Sequence, residues 1–247
     1  MSRRVVVSGG GTGIGRAIAC SFACAGDDVV IIGRRRDALE RTSRELNAET
    51  GSDRVSFRSA DLSDPEGAGE TAAAIAAGGH VDVLVTNAGG VASGLADTLS
   101  AVADNWLADF RGNVLTAVLL AEALLPHLSR PGGRVIAMSS VAAVRGAGSY
   151  GAAKAALHAW VFDLAARLGA DGITVNAVAP GFVPDTEFWD GRRTPEVAEP
   201  RIATTLVKRP GTPDEVAEAV SYLASPLAGF TTGQILQVNG GSVLGRG

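Results

Sequence analysis

The sequence predicts an α/β fold in which a doubly wound parallel sheet carries helices on both faces. Three observations lead there. Short β-branched apolar runs alternate with Ala/Leu-rich stretches of helical length. Several of the runs lack apolar/polar alternation, as expected of strands covered on both sides. The first run leads directly into a glycine string and then into a helical pattern. The 247 residues, 46% of them hydrophobic, suffice for one domain with a sizeable core.

The strands are expected at VVV (5–7), VVII (29–32), VSF (55–57), VDVLV (81–85), RVIAM (134–138), ITVNAV (173–178) and QILQV (234–238), seven in all. No linker, repeat or low-complexity stretch divides the chain, so residues 1–247 read as a single unit. Residues 182–205 are the least regular segment, with Phe182, Phe188 and Trp189 among turn formers. A long irregular insertion in a compact domain reads as a lid or binding loop.

A net charge of −4 gives no reason to expect nucleic acid or an anionic membrane as partner. No apolar run reaches transmembrane length, and the N-terminus lacks the longer apolar region of a signal peptide, so a cytoplasmic protein is expected. Cys20 and Cys24 fall one helical turn apart, a poor geometry for a disulfide, and read as small buried apolar residues. His80, His127 and His158 fit no ligand spacing, so no metal site is expected; Trp106 and Trp160 read as core or interface.

The glycine string lies in VVVSGGGTGIGRAIAC, a strand–turn–helix context. Gly9, Gly13 and Gly15 allow a tight turn and a close backbone approach to phosphate at a helix N-terminus. That context points to a dinucleotide. The second strand ends in Gly33 followed by Arg34, Arg35 and Arg36, where an acid would hold a ribose 2′-hydroxyl. Guanidinium groups suit a 2′-phosphate, which favours NADP(H) over NAD(H), with Arg36 the member read as merely solvated. Asp61 ends the third strand; Ser63 or Asp64 can cap the next helix, which leaves Asp61 for another task such as an adenine amino group. Asn87-Ala88-Gly89 ends the fourth strand, at the carboxyl edge where ligands of open sheets bind.

One more pair stands out. The chain has two tyrosines and two lysines, and Tyr150 and Lys154 are spaced by four, on one helix face. An ammonium beside a phenol favours the phenolate, which brings proton exchange closer to neutrality.

In order, Gly9-x3-Gly13-Ile14-Gly15, Asp61, Asn87-Ala88-Gly89, Asn113, Ser140, Tyr150-x3-Lys154, NAVAPG (176–181) and TTGQILQVNGG (231–241) resemble the single-domain short-chain dehydrogenase/reductase family, over nearly the whole chain. The pattern is similar to that of its 3-oxoacyl-carrier-protein reductases. The resemblance implies a strand order 3-2-1-4-5-6-7, a homotetramer built through helices around 104–128 and 150–168 and the C-terminal segment, and hydride transfer between a carbonyl and a secondary alcohol. It implies Tyr150 as acid/base, Lys154 as its activator and ribose ligand, Ser140 on the substrate oxygen and Asn113 holding a relay water. It implies cofactor contacts from Gly11, Thr12, Leu62, Pro180, Gly181, Val183 and Thr186 as well. Ser8 and Thr86 depart from the family pattern, as do a short Ser140–Tyr150 loop and a longer PGFVPDT. A small carbonyl, alcohol or acyl thioester is the expected substrate. A carrier-protein thioester is the alternative substrate; for it Asp171 stands where a basic residue is usual, and Arg130 and Arg134 are the residues that could compensate. The reading from another class is a silent dinucleotide sensor, against which the full Asn–Ser–Tyr–Lys set counts.

Overall fold

The structure is a computed structural model and describes residues 2–91, 97–189, 191 and 193–245. Its strands are β1 (Arg4–Ser8), β2 (Asp28–Gly33), β3 (Val55–Ser59), β4 (Val83–Thr86), β5 (Arg134–Met138), β6 (Thr174–Pro180) and β7 (Ile235–Val238). All pair in parallel, in the order β3-β2-β1-β4-β5-β6-β7, which is the order expected. The one notable shift is at β4. Val81 stays outside the strand and bridges to Leu128 instead.

Alternation along each strand divides the core. Val5, Val7, Val29 and Ile31 face one side, against α1 (Gly13–Cys24), α2 (Arg36–Thr50) and the late helix Pro213–Ala224. Val6, Val30, Ile32 and Leu84 face the other, against α3 (Pro65–Ala76) and the helices Thr116–Leu124 and Gly148–Leu168. Each face is therefore dry, which explains the unbroken apolar runs.

The helices begin where side-chain chemistry starts them. Asp64 accepts the Gly67 N–H at 2.8 Å and Pro65 opens α3. After β4 the chain forms α4 (Leu99–Phe110), a π-helical turn (Arg111–Leu115) and α5 (Thr116–Leu124) as one rod. Past β5 come a single turn, α6 (Ala142–Arg145), and the long α7 (Gly148–Leu168). The irregular segment after β6 contains α8 (Pro195–Ala203). Then α9 (Pro213–Ala224) is closed by a capping box between Thr212 and Glu215.

Candidate active site

Every site residue read from the sequence lines one cleft of about 2010 Å³ along the carboxyl edge of the sheet. That exceeds the few hundred to ~1,000 Å³ of a small-ligand pocket and leaves room for a dinucleotide with a substrate.

The cofactor wall is built mainly from backbone. Gly9 and Gly13 have φ of +65° and +52°, a region that favours glycine. A Cβ on Gly15 would collide with the Gly9 carbonyl oxygen. Ser8 does what a threonine hydroxyl could do: its Oγ accepts the N–H groups of Asn87 and Ala88 at 3.0 and 2.9 Å. Asn87 Nδ2 returns bonds to the carbonyls of Ser8 and Gly9. Glycine turn and Asn-Ala-Gly turn are thus one unit. The first turn of α1 carries no acid and no side-chain cap, so its N–H groups are available to an anion. A dinucleotide pyrophosphate fits this cradle.

At the end of β2, Arg34 is exposed, its carbonyl accepts the Ser59 hydroxyl at 3.1 Å, and its positive charge acts on the Asp61 carboxyl. Arg35 is ion-paired to Glu187 from the irregular segment. That bond, with one from Thr12, holds the Glu187 carboxyl below its usual range. Arg36 lies 5.4 Å over the Phe57 ring. As expected, Asp61 is not the cap of α3; its Oδ1 accepts both the N–H and the hydroxyl of Ser63, at 3.0 and 2.8 Å. Those bonds hold its carboxyl below the usual range, and Asp64 alone caps α3. Asp61 and Leu62 still line the cleft.

The Tyr–Lys pair stands at the centre. Lys154 is 4% exposed, its Nζ donates to the Met138 carbonyl at 2.9 Å and lies 5.9 Å from the Tyr150 ring centre. Burial pushes its ammonium down to about 8. Asn113 sits in the π-helical turn, 1% exposed. Its Nδ2 donates to Gly90 O and Asp109 O, at 2.8 and 2.9 Å, and its Oδ1 accepts the Gly90 N–H. A Cβ on Gly89 would stand 2.5 Å from Asn113 Oδ1 and 3.1 Å from Lys154 Nζ, so glycine there keeps the two side chains in reach of the cleft. Ser140 Oγ accepts the Ala142 N–H and starts α6. The short loop closes through Gly146 and Gly148, both at positive φ.

Two further residues, Asp109 and Ser139, escaped the sequence reading. Asp109 is buried, and its Oδ2 accepts the Ser149 hydroxyl at 2.6 Å, tying the start of α7 to α4. No spacing pattern announces it. Ser139 binds His158 Nε2 at 2.7 Å, which makes that histidine structural, and burial lowers its pKa. Phe188 packs 5.7 Å from Tyr150, and Trp189 joins both Phe188 and Phe182. Thr186 lies against Gly13 and bonds the Val183 carbonyl.

Two expectations are corrected. Arg130 is paired with Asp171 at 3.0 Å, and Arg134 is buried on the carbonyls of Gly132 and Gly133. Both stand at the amino end of β5, whereas Ser140 follows its carboxyl end, so neither supplies a basic patch to the site. Cys24 is exposed and Cys20 half-buried, with sulfurs 3.9 Å apart. Burial and the neighbouring thiol push Cys20 up to about 11. Among the described residues no cluster of His, Cys, Asp and Glu could hold a metal, and no helix is long and apolar enough to cross a membrane.

Known proteins share this architecture. A family model described as enoyl-(acyl carrier protein) reductase matches residues 9–242. An uncharacterised oxidoreductase of Mycobacterium tuberculosis is 38% identical over 243 residues, covering 96% of this chain and 90% of its own. The 7alpha-hydroxysteroid dehydrogenase of Escherichia coli is 34% identical over 246 residues, covering 96% and 93%. A crystal structure of a short-chain dehydrogenase from Burkholderia cenocepacia in complex with NADP superposes with a TM-score of 0.86 at 33% identity, covering 97% of each chain. The chain belongs to the short-chain dehydrogenase/reductase family and is an oxidoreductase that interconverts a carbonyl and an alcohol.

Proposed function

We propose that the protein uses NADP(H), with Tyr150 exchanging the proton at the substrate oxygen. The observation that carries the cofactor choice is Arg34, exposed at the end of β2 beside Gly33 where an acid would repel a 2′-phosphate. The NADP-bound Burkholderia relative is consistent with it. The glycine turn, Asn87–Gly89 and Pro180–Val183 would hold the rest of the cofactor, with Thr186 near the nicotinamide. When bound, the nicotinamide supplies or takes up the hydride.

The protein's own groups handle everything else. In reduction, the Tyr150 hydroxyl donates a proton to the carbonyl oxygen as negative charge builds there; in oxidation it accepts the proton back. Ser140 donates a hydrogen bond to the same oxygen. Lys154 keeps a positive charge beside the phenol, and its compact ammonium can also reach a ribose hydroxyl, which Arg's planar fork would not match. Asn113 ties the relay to the backbone of Gly90 and Asp109. The whole chain forms one catalytic unit, with residues 182–205 as its substrate lid.

We read the assembly as a homotetramer in the cytoplasm. Trp106 and Phe110 on α4 and Phe162 on α7, two helices in contact, expose apolar side chains, and Tyr222, Leu227 and Phe230 do so near the C-terminus. Two such patches are what a dimer of dimers covers. Two free thiols suit a reducing compartment. A panel of ketones and secondary alcohols assayed with NADPH and NADH tests the reading. We expect turnover with NADPH well above that with NADH; preference for NADH, or none with either, would overturn it.

A further inference from the structure

Four arginines in the cleft have no ion-paired carboxylate among the described residues. Among the described residues nine arginines hold a carboxylate within 4.0 Å. Arg34, Arg111, Arg145 and Arg201 line the cleft and do not, and of these Arg145 and Arg201 are linked through Thr204. They come from different elements, the α6 turn and α8, yet converge. Arg145 Nη1 reaches the Thr204 hydroxyl at 3.4 Å, and that hydroxyl donates to the Arg201 carbonyl at 2.7 Å. Arg201 is held in place: Nη1 donates to Val197 O at 2.6 Å, and its guanidinium lies 5.0 Å over the Trp189 ring.

The carboxylates that line the cleft are engaged elsewhere. Glu187 is bonded to Arg35 and Thr12 on the cofactor side, Asp61 to Ser63, and Asp109 is buried beneath Ser149. From Tyr150 to Arg201 runs an aromatic wall, with successive separations of 5.7, 5.2 and 5.0 Å through Phe188 and Trp189. The cleft thus offers a proton donor, an apolar stretch and then two cations.

We propose that Arg145 and Arg201 form an anion subsite, and that the substrate bears a carboxylate or phosphate separated from its reacting carbonyl by an apolar segment. This deepens the reading of the cleft as an alcohol/carbonyl site and rests on it. Guanidinium groups pair with either anion through two parallel N–H···O bonds. The phosphate arm includes the phosphodiester of a pantetheine thioester.

The test uses three ketones of one skeleton, ending in a carboxylate, a phosphate monoester or a neutral primary amide, assayed with NADPH. We expect the better anion to exceed the amide in kcat/KM by about tenfold to a hundredfold, mainly through KM. The R145Q/R201Q variant should reduce that ratio to near one, and R145K/R201K should keep part of it. The ratio is internal to each variant, so a loss of folded protein does not imitate the result. A larger effect for phosphate than for carboxylate identifies the phosphate source. Calorimetric titration of the NADPH-loaded protein with the same ketones reads the preference without turnover. Equal kcat/KM or equal affinity for anion and amide in the native protein overturns the subsite, as does a ratio that survives R145Q/R201Q. Turnover of neutral ketones without anion preference sinks the subsite alone. Anion-selective binding without turnover of any ketone or alcohol sinks the catalytic reading and leaves the subsite standing.

Discussion

The two ends of the cleft are made of different material. The cofactor end is backbone: glycines at positive φ, a helix N-terminus, and two turns stitched by Ser8 and Asn87. The end proposed for the substrate is side chain: Phe188, Trp189, Arg145 and Arg201, from a one-turn helix and an irregular segment. Backbone geometry recognises what all dinucleotides share. Side chains can be exchanged without disturbing the sheet, so they set what is particular to this protein. Lys154 stands between the two ends, buried and bonded to the Met138 carbonyl.

That contrast can be broken by substitution. Tyr150→Phe should reduce turnover by about 10²- to 10⁴-fold, the usual effect of losing a general acid or base, while NADPH affinity holds. A parallel loss in NADPH binding, measured by fluorescence titration, would erase the boundary between the ends.

Lys154 should leave a signature in stability. Its folded value is about 8 against an ordinary 10.5. The unfolded chain therefore keeps a proton between those values that the folded chain has released, and stability attributable to this residue rises with pH across that window. Below about 8 both states are protonated and the cost of burying the charge is fully present. Relative to Lys154→Met, the native protein should gain about 3 kcal/mol between pH 7.5 and 10.5. Denaturant unfolding of both proteins at several pH values measures it; a constant difference would mean the lysine is not desolvated.

Arg34→Ala is the converse of the tyrosine variant. NADPH affinity should fall by about tenfold to a hundredfold, with NADH little changed and kcat at saturation retained. Equal losses for both cofactors would make Arg34 an ordinary solvated charge. The smallest effect is expected for Glu187→Gln, which releases Arg35. An exposed pair is worth at most about 1 kcal/mol, so NADPH affinity should rise by no more than about fivefold. A decrease instead would show that Glu187 supports the cofactor.

The difference between the ends also governs what the sequence reveals. The seven strands and the glycine turn follow from local pattern, because burial on both faces and positive φ each constrain residue type at the site itself. Tyr150 and Lys154 are legible for the same reason: four residues of helix bring them together. The Arg35–Glu187 pair joins residues 152 apart, and Arg145 meets Thr204 across 59. Nothing local announces such meetings. Arg134 misleads because its carbonyl partners are supplied by the turn before it and by Ser225, which turns a charged residue into a buried tie.

The widened turn at Arg111–Leu115 reaches beyond Asn113. A π-turn accommodates about one residue more than the α-helical path would, and each residue in a helix advances the face by about 100°. The wide turn absorbs that residue, so removing one there would let the rod run on as plain α-helix, with α4 and α5 keeping nearly the faces they have. The outward stripe of Val102, Trp106 and Phe110 would stay outward, and what would be lost is the local widening that carries Asn113. Length variation at this single turn is thus a route by which related chains could gain or lose the Asn113 position without altering how their copies meet.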